Sequence, residues 1–261
     1  MKKYPFVISL PHCAGDVPPD IRTRMALTDE QIADAVDQGT HEIFAALPAD
    51  DVIAARYSRL FCDLNRSPEN RRGKGVVPET DYKGRRVFLP EMAPDDATVD
   101  AWVARFYRPY HERLEKAVSG SGAKALFDCH SLNGVGPAAA PDAGRKRKDV
   151  IISNNGQKDG KADPALGEPS CPPDILEIVE SAFSQAGFTT AVNDPYTGGF
   201  ITVHYGKKLV RPGGCALQIE MNQDLYVDPE TDRCDPEKTK TAAEMVESAL
   251  EEIVRRVAVF R

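Results

Sequence analysis

The chain has 261 residues, 41% of them hydrophobic and 28% charged, which suits a globular protein with room for one large α/β domain or two small ones. No apolar run approaches the roughly 20 residues that a membrane-spanning helix needs. A net charge of −7 disfavours a nucleic-acid surface as the main partner.

The first apolar run, Phe6-Val7-Ile8-Ser9-Leu10, predicts a buried strand over about residues 5–10. Lysines precede it as in a secretory leader, but the run stops at His12 and reads as a core strand, so no signal peptide is expected. Thr28 with Gln31 three residues later fits a capping box. It predicts a helix whose stripe Ile32, Val36, Ile43, Phe44 and Leu47 ends near Pro48. On such a helix Asp37 and His41 share a face.

Val52-Ile53-Ala54-Ala55 is the next strand candidate. It leads into Arg56, Arg59, Asn65 and Arg66, concentrated around short apolar runs. Residues 67–80 read as loop, and Arg86-Val87-Phe88-Leu89 as a short strand. Thr98 to Val118 predicts the clearest long helix, kinked or split near Arg108 by Pro109.

A central strand over 124–129 follows, ending in Asp128-Cys129-His130-Ser131. Residues 133–173 are rich in Gly, Pro, Asn, Lys and Asp and form a long irregular insertion, with Val150-Ile151-Ile152 its one clear apolar run. Lys146-Arg147-Lys148 reads as a solvated charge run. Asp174 to Ala186 predicts a helix closed by Gly187, and Phe188 to Val192 a strand. Tyr196 to Phe200 reads as a turn into a strand at Ile201 to Gly206, which carries His204. Cys215 to Met221 is a further strand, and a last helix spans about 237–258. Strands alternating with helices predict a single three-layer α/β/α domain over residues 1–261, with a mixed sheet because some connections are too short for crossovers.

Two histidines and a glutamate stand at predicted strand ends: His12, His130 and Glu220. Ligands in open α/β sheets sit outside such ends, and a catalytic zinc takes three protein ligands plus an open position. That combination points to a metal hydrolase. The third ligand stays open among Asp37, His41 and Asp16, because an i, i+4 pair also occurs on solvated faces. Asp128, two residues before His130 on a strand, shares its face and suits a carboxylate that orients the histidine. Glu220 could take a proton from the attacking water. The arginines and Asn65 could fork substrate carboxylates, or simply pair on the surface. His111 and His204 have weaker claims.

Six cysteines, none in a C-x-x-C pair, suggest a reducing, hence cytoplasmic, setting. Cys13 beside His12 offers a rival nucleophile, with His12 or His130 as base. Adjacent side chains on one backbone diverge, which sets this reading below the metal one.

Several segments, in order, resemble the N-formylglutamate amidohydrolase (deformylase) family. They are Pro11-His12-Cys13-Ala14-Gly15, Asp37-Gln38-Gly39-Thr40, Ala55 to Arg66 (the most specific), Pro109-Tyr110-His111, Asp128 to Ser131, Gly198 to Thr202 and Ala216 to Glu220. The resemblance implies a zinc-carboxypeptidase-like fold and hydrolysis of an N-formyl or N-acyl amide of an acidic amino acid by metal-activated water. It implies one Zn2+ (another divalent metal being possible) on His12, Asp37 and His130. It also implies Glu220 as general base, an arginine, Arg59, at the oxyanion, and Arg56, Asn65 and Arg66 toward substrate carboxylates. Cys13 departs from the family's serine, and 133–173 departs from its expected short segment. An enzyme of this fold acting on another N-acyl amino acid or a short peptide, or a non-catalytic small-molecule binding protein, are the alternatives. No nucleic acid or membrane partner is expected.

Overall fold

A computed structural model describes residues 3–120, 123–210 and 213–257. Six strands form one mixed sheet in the order β2-β1-β3-β6-β4-β5. They are β1 (Tyr4–Leu10), β2 (Ala49–Ala54), β3 (Ala125–Leu132), β4 (Val150–Ser153), β5 (Thr190–Val192) and β6 (Cys215–Asn222). β2, β1, β3 and β6 run parallel, β4 runs antiparallel to β6, and β5 is parallel to β4.

Both faces of the sheet are covered, which is why β3 and β6 are buried along their whole length. Alternate residues feed two cores. Phe6, Ile8, Phe127, Cys129, Leu217 and Ile219 pack on the face of α3 (Thr40–Phe44), α6 (Pro173–Gln185) and α8 (Pro236–Arg256). Val7, Leu126 and Ala216 face α4 (Asp96–Trp102), α5 (Arg108–Ser119) and α7 (Phe200–Leu209). This second face continues, two residues at a time, from Val7 to Ser9, from Leu126 to Asp128 and His130, and from Ala216 to Gln218 and Glu220. A polar track therefore opens at the C-terminal ends of the parallel strands, where α/β sheets hold ligands.

The three-layer α/β/α prediction and the mixed sheet are borne out, with local corrections. After a short α1 (Pro19–Arg22), the single helix expected from Thr28 to Leu47 is two: α2 (Asp29–Ala33), with its capping box in place, and α3. The break runs over residues 34–39 and ends at Gly39, in the left-handed region at φ 76°, where a Cβ would overlap the Tyr226 ring. Asp37 therefore lies in a turn, and its N–H donates to the His12 carbonyl at 3.0 Å. The helix expected at Thr98–Val118 runs from Asp96 to Ser119 through a π-helical segment, Val103–Tyr107, just before Pro109. That wider turn accommodates the proline ring and its missing N–H.

Arg86 and Phe88 make only isolated bridges, to Thr80 and Met25, so no strand forms there. The strand expected at Ile201–Gly206, with His204 in it, is the helix α7. Its β-branched Ile201, Thr202 and Val203 mimic a strand, yet Ile201, Thr202, Tyr205 and Leu209 are buried at helical spacing. The expected last helix, 237–258, is Pro236–Arg256; residue 258 lies outside the described residues. The irregular stretch 133–173 contributes β4 to the sheet, and Arg147, expected in solvent, is buried in a bidentate pair with Asp142 at 2.7 Å.

Candidate metal centre and active site

Three side chains converge where the polar track ends. His12 follows β1, Asp37 comes from the turn before α3, and His130 from β3. One ligand atom of each lies within 4.8 Å of the others, and all three residues are buried. Nδ1 of His130 is 2.9 Å from Asp37 Oδ2, and Nδ1 of His12 is 3.5 Å from the same oxygen.

The opposite nitrogen of each ring meets another carboxylate. His12 Nε2 is 2.8 Å from Asp63 Oδ1, and His130 Nε2 is 3.2 Å from Asp128 Oδ2. Once a ring is neutral, a carboxylate on its Nε2 holds the remaining proton there and leaves Nδ1 as a lone pair, the form a metal binds. Nδ1 of His12 is, among the described residues, the buried side-chain polar atom without a hydrogen-bond partner. Native interiors rarely leave such atoms unpaired. The donor set, two imidazoles and a carboxylate, fits a divalent transition metal with an open position. Asp37 thus sits with the histidines. His41 is exposed on α3, and Asp16 is not among the residues lining the cavity.

The electrostatics follow from burial and close charges. Burial works against the Asp37 carboxylate, but the His12 and His130 rings hold its pKa well below the ordinary range. Burial likewise opposes Asp63, and Arg59, with His12, overrides it. Burial disfavours the His130 cation, yet Asp128 and Asp37 raise its pKa well above the usual value. Glu220 stands beside His130 in the register of β3 and β6. Its burial pushes its pKa up to about 7, against the pull of His130 and with repulsion from Asp37. A carboxylate poised there suits a general base.

Arg59 bridges Asp63 (3.0 Å) and Asp37 (3.5 Å) and lines the cavity. Arg66 lines it too; its guanidinium is 3.6 Å from Asp63 and donates to the Asn65 carbonyl. The Asn65 side chain is spent inside the protein. Its Nδ2 donates to Asp128 at 3.1 Å and lies 3.0 Å from His130, while its Oδ1 accepts from the Ile201 N–H at 2.8 Å. Arg56 is exposed, stacks over Tyr57 and does not line the cavity. His111 is a packing residue: Tyr107 stacks on its ring, it bonds the Leu64 carbonyl and Tyr205, and burial lowers its pKa to about 4. His204 stacks on Phe200 instead.

Two participants escaped the sequence reading. Asp63 lies inside the Arg59–Arg66 segment, four residues after Arg59, and its acidic character there was the available signal. Gln218 lies two residues before Glu220 on one strand face and donates to Glu220 Oε1 at 2.8 Å. Cys13 is half-buried with its thiol on the Leu10 and Ala55 carbonyls, and burial pushes its pKa up to about 11, the reverse of an activated nucleophile.

At its strand ends this mixed-sheet α/β fold gathers a His-Asp-His group that could hold a metal ion, a glutamate with a raised pKa and a half-buried arginine, a combination suited to hydrolysis. The family model of N-formylglutamate amidohydrolase matches residues 4–227, and the chain belongs to that family of enzymes, hydrolases of an amide. An N-formylglutamate deformylase of Pseudomonas aeruginosa is 27% identical over 240 residues, covering 87% of this chain and 83% of the relative. One from Pseudomonas putida is 26% identical over 256 residues with the same coverage. The crystal structure of N-formylglutamate amidohydrolase from Ralstonia eutropha shares the fold, with a TM-score of 0.67, 22% identity, and 98% and 96% of the two chains covered. Among the described residues no helix is long and apolar enough to cross a membrane.

Proposed function

We propose that this chain, as one amidohydrolase domain, removes the N-formyl group from an acidic amino acid such as N-formylglutamate, with zinc held by His12, Asp37 and His130. The observation that carries the reading is the convergence of two carboxylate-backed Nδ1 atoms and Asp37 beside Glu220. The two named Pseudomonas relatives supply the substrate. When bound, zinc would supply Lewis acidity to a water and to the amide carbonyl. Glu220 takes a proton from the attacking water and passes it to the leaving amine nitrogen. Arg59, held between Asp37 and Asp63, presents its guanidinium to the negative charge that grows on the carbonyl oxygen. Arg66, whose guanidinium makes one hydrogen bond among the described residues and lies 3.6 Å from Asp63, meets a substrate carboxylate. Six free cysteines agree with a reducing, cytoplasmic setting.

The test is metal content together with formate release from N-formylglutamate, for wild type and His130→Ala. We expect about one zinc per chain and formate release in the wild type, with both lost in the variant. Metal without formate release would remove the substrate assignment, and equal behaviour of the two proteins would remove the centre itself. A second substrate class draws on the cavity, about 510 Å³, which also admits a larger N-acyl amino acid or a short peptide. A panel of N-formyl, N-acetyl and peptide substrates ranks them.

A further inference from the structure

Gln218 is buried, at 5% exposure, on the same face of β6 as Glu220, and both ends of its amide are committed. Nε2 donates to Glu220 Oε1 at 2.8 Å, and Oε1 accepts the Gly199 N–H at 2.6 Å. The Glu220 carboxylate has no other hydrogen bond among the described residues, so Oε2 is the oxygen left for chemistry in the cavity that Glu220 lines. Gly199 precedes α7 and packs so closely on the Asn65 amide that a Cβ would strike it. Asn65 in turn holds the Ile201 N–H and touches Asp128 and His130. The start of α7 is thereby pinned to both halves of the site: to the metal-side histidine through Asn65, and to the base through Gln218.

Resting on the hydrolase reading above, we propose that Gln218 is the positioning residue of the general base. It holds one carboxylate oxygen of Glu220, assigns proton transfer to the other, and ties that orientation to the glycine turn before α7. A side-chain amide suits this task because it donates to the carboxylate and accepts from the backbone at once. A carboxylate held by a single hydrogen bond depends on that bond for its rotamer. Proton transfer needs the acceptor within hydrogen-bond reach, and a displacement of about 1 Å costs on the order of 100-fold in rate.

Gln218→Met keeps the length of the chain and removes both hydrogen bonds. Gln218→Glu keeps an acceptor for Gly199 and removes the amide donor to Glu220. We expect kcat to fall roughly 10- to 100-fold in both, KM to stay within about threefold, and zinc content to be unchanged. A raised KM with unchanged kcat would make Gln218 a substrate contact and overturn the proposal. Full activity of Gln218→Glu beside a crippled Gln218→Met would assign the effect to anchoring of the turn alone, and also overturn it. If Gln218→Met does not fold, Gln218→Glu still decides by its kcat. Crystal structures of wild type and either folded variant give a readout that needs no turnover. The Glu220 carboxylate should leave its wild-type rotamer, and an unmoved Glu220 refutes the positioning role even if the wild type ignores N-formylglutamate. That last result bears on the substrate, not on Gln218.

Discussion

Glu220→Gln should make the metal-free protein more stable while removing its activity. The carboxylate is buried at 7% exposure, and its pKa rises from 4.5 to about 7 in the fold, chiefly through burial. Between those values the folded chain keeps a proton that the unfolded chain has released, so stability falls as pH rises through this window. At 1.36 kcal/mol per unit the loss is about 3 kcal/mol, complete above pH 7. Glutamine is nearly isosteric, does not titrate, and can still accept from Gln218 through its carbonyl. The variant should therefore match the wild type near pH 4.5 and exceed it by about 3 kcal/mol at pH 8, a gain of roughly 2–4 °C in Tm for each kcal/mol. Denaturant unfolding after dialysis against a chelator, at both pH values, measures the gap. Adding zinc should narrow it, because a nearby cation favours the carboxylate. The kcat should fall 100- to 10,000-fold. A pH-independent gap, or a variant less stable at pH 8, would refute the account of Glu220 as a destabilising, functional carboxylate.

Asp63→Asn leaves an oxygen for His12 Nε2 but turns an amide NH2 toward Arg59, which now sits 3.0 Å from a carboxylate oxygen. Zinc affinity should drop about 10- to 100-fold in chelator competition, and an unchanged affinity in folded protein would show that Asp63 does not orient His12. Cys13→Ala should retain kcat within about threefold and the wild-type sensitivity to chelator, since its thiol is bonded to main-chain carbonyls with its pKa pushed up. Loss of activity with the metal still bound would return Cys13 to the chemistry.

The parts of the fold that the sequence revealed are those where side-chain pattern and backbone agree. β1, β3 and β6 read as strands because buried-strand runs are nearly continuous in apolar residues, and the capping box at Thr28 marked its helix correctly. The misreadings fall where a tertiary contact overrides local preference. Gly39 closes on Tyr226 and breaks a stripe that was helical on paper. Ile201-Thr202-Val203 has strand propensity, but the Asn65 side-chain oxygen captures the Ile201 N–H where a helix starts. Arg147 lay in a run of three basic residues, and only the folded loop brings Asp142 onto its guanidinium. His12, His130 and Glu220 stood out because acids and histidines are conspicuous after apolar runs. Asp37 needed the resemblance, since a turn between two short helices carries no periodic signal. Asn65 and Gln218 were invisible in their roles: an amide that bridges two elements 136 and 19 residues away leaves no mark in local sequence.

Asp37, Asp63, Asp128 and Glu220 are buried together, and the guanidiniums of Arg59 and Arg66 are the cations set against them. Four formal negative charges against two positive ones leave an excess of two, and low-polarity surroundings make such an excess costly. Two protons can offset it, which accounts for the His130 pKa standing well above its usual value and for Glu220 near 7. One divalent ion can offset it equally. Metal and protons therefore compete for the same charge, and zinc binding should release close to two protons at pH 6 and about one fewer at pH 8, where Glu220 is already ionised. Calorimetric titration of the chelator-stripped protein with zinc, in buffers of different ionisation enthalpy, counts them. In Glu220→Gln the count at pH 6 should fall by about one. Release of less than one proton by the wild type at pH 6 would mean that the ion does not take over the charge balance of this cluster, and would place it elsewhere.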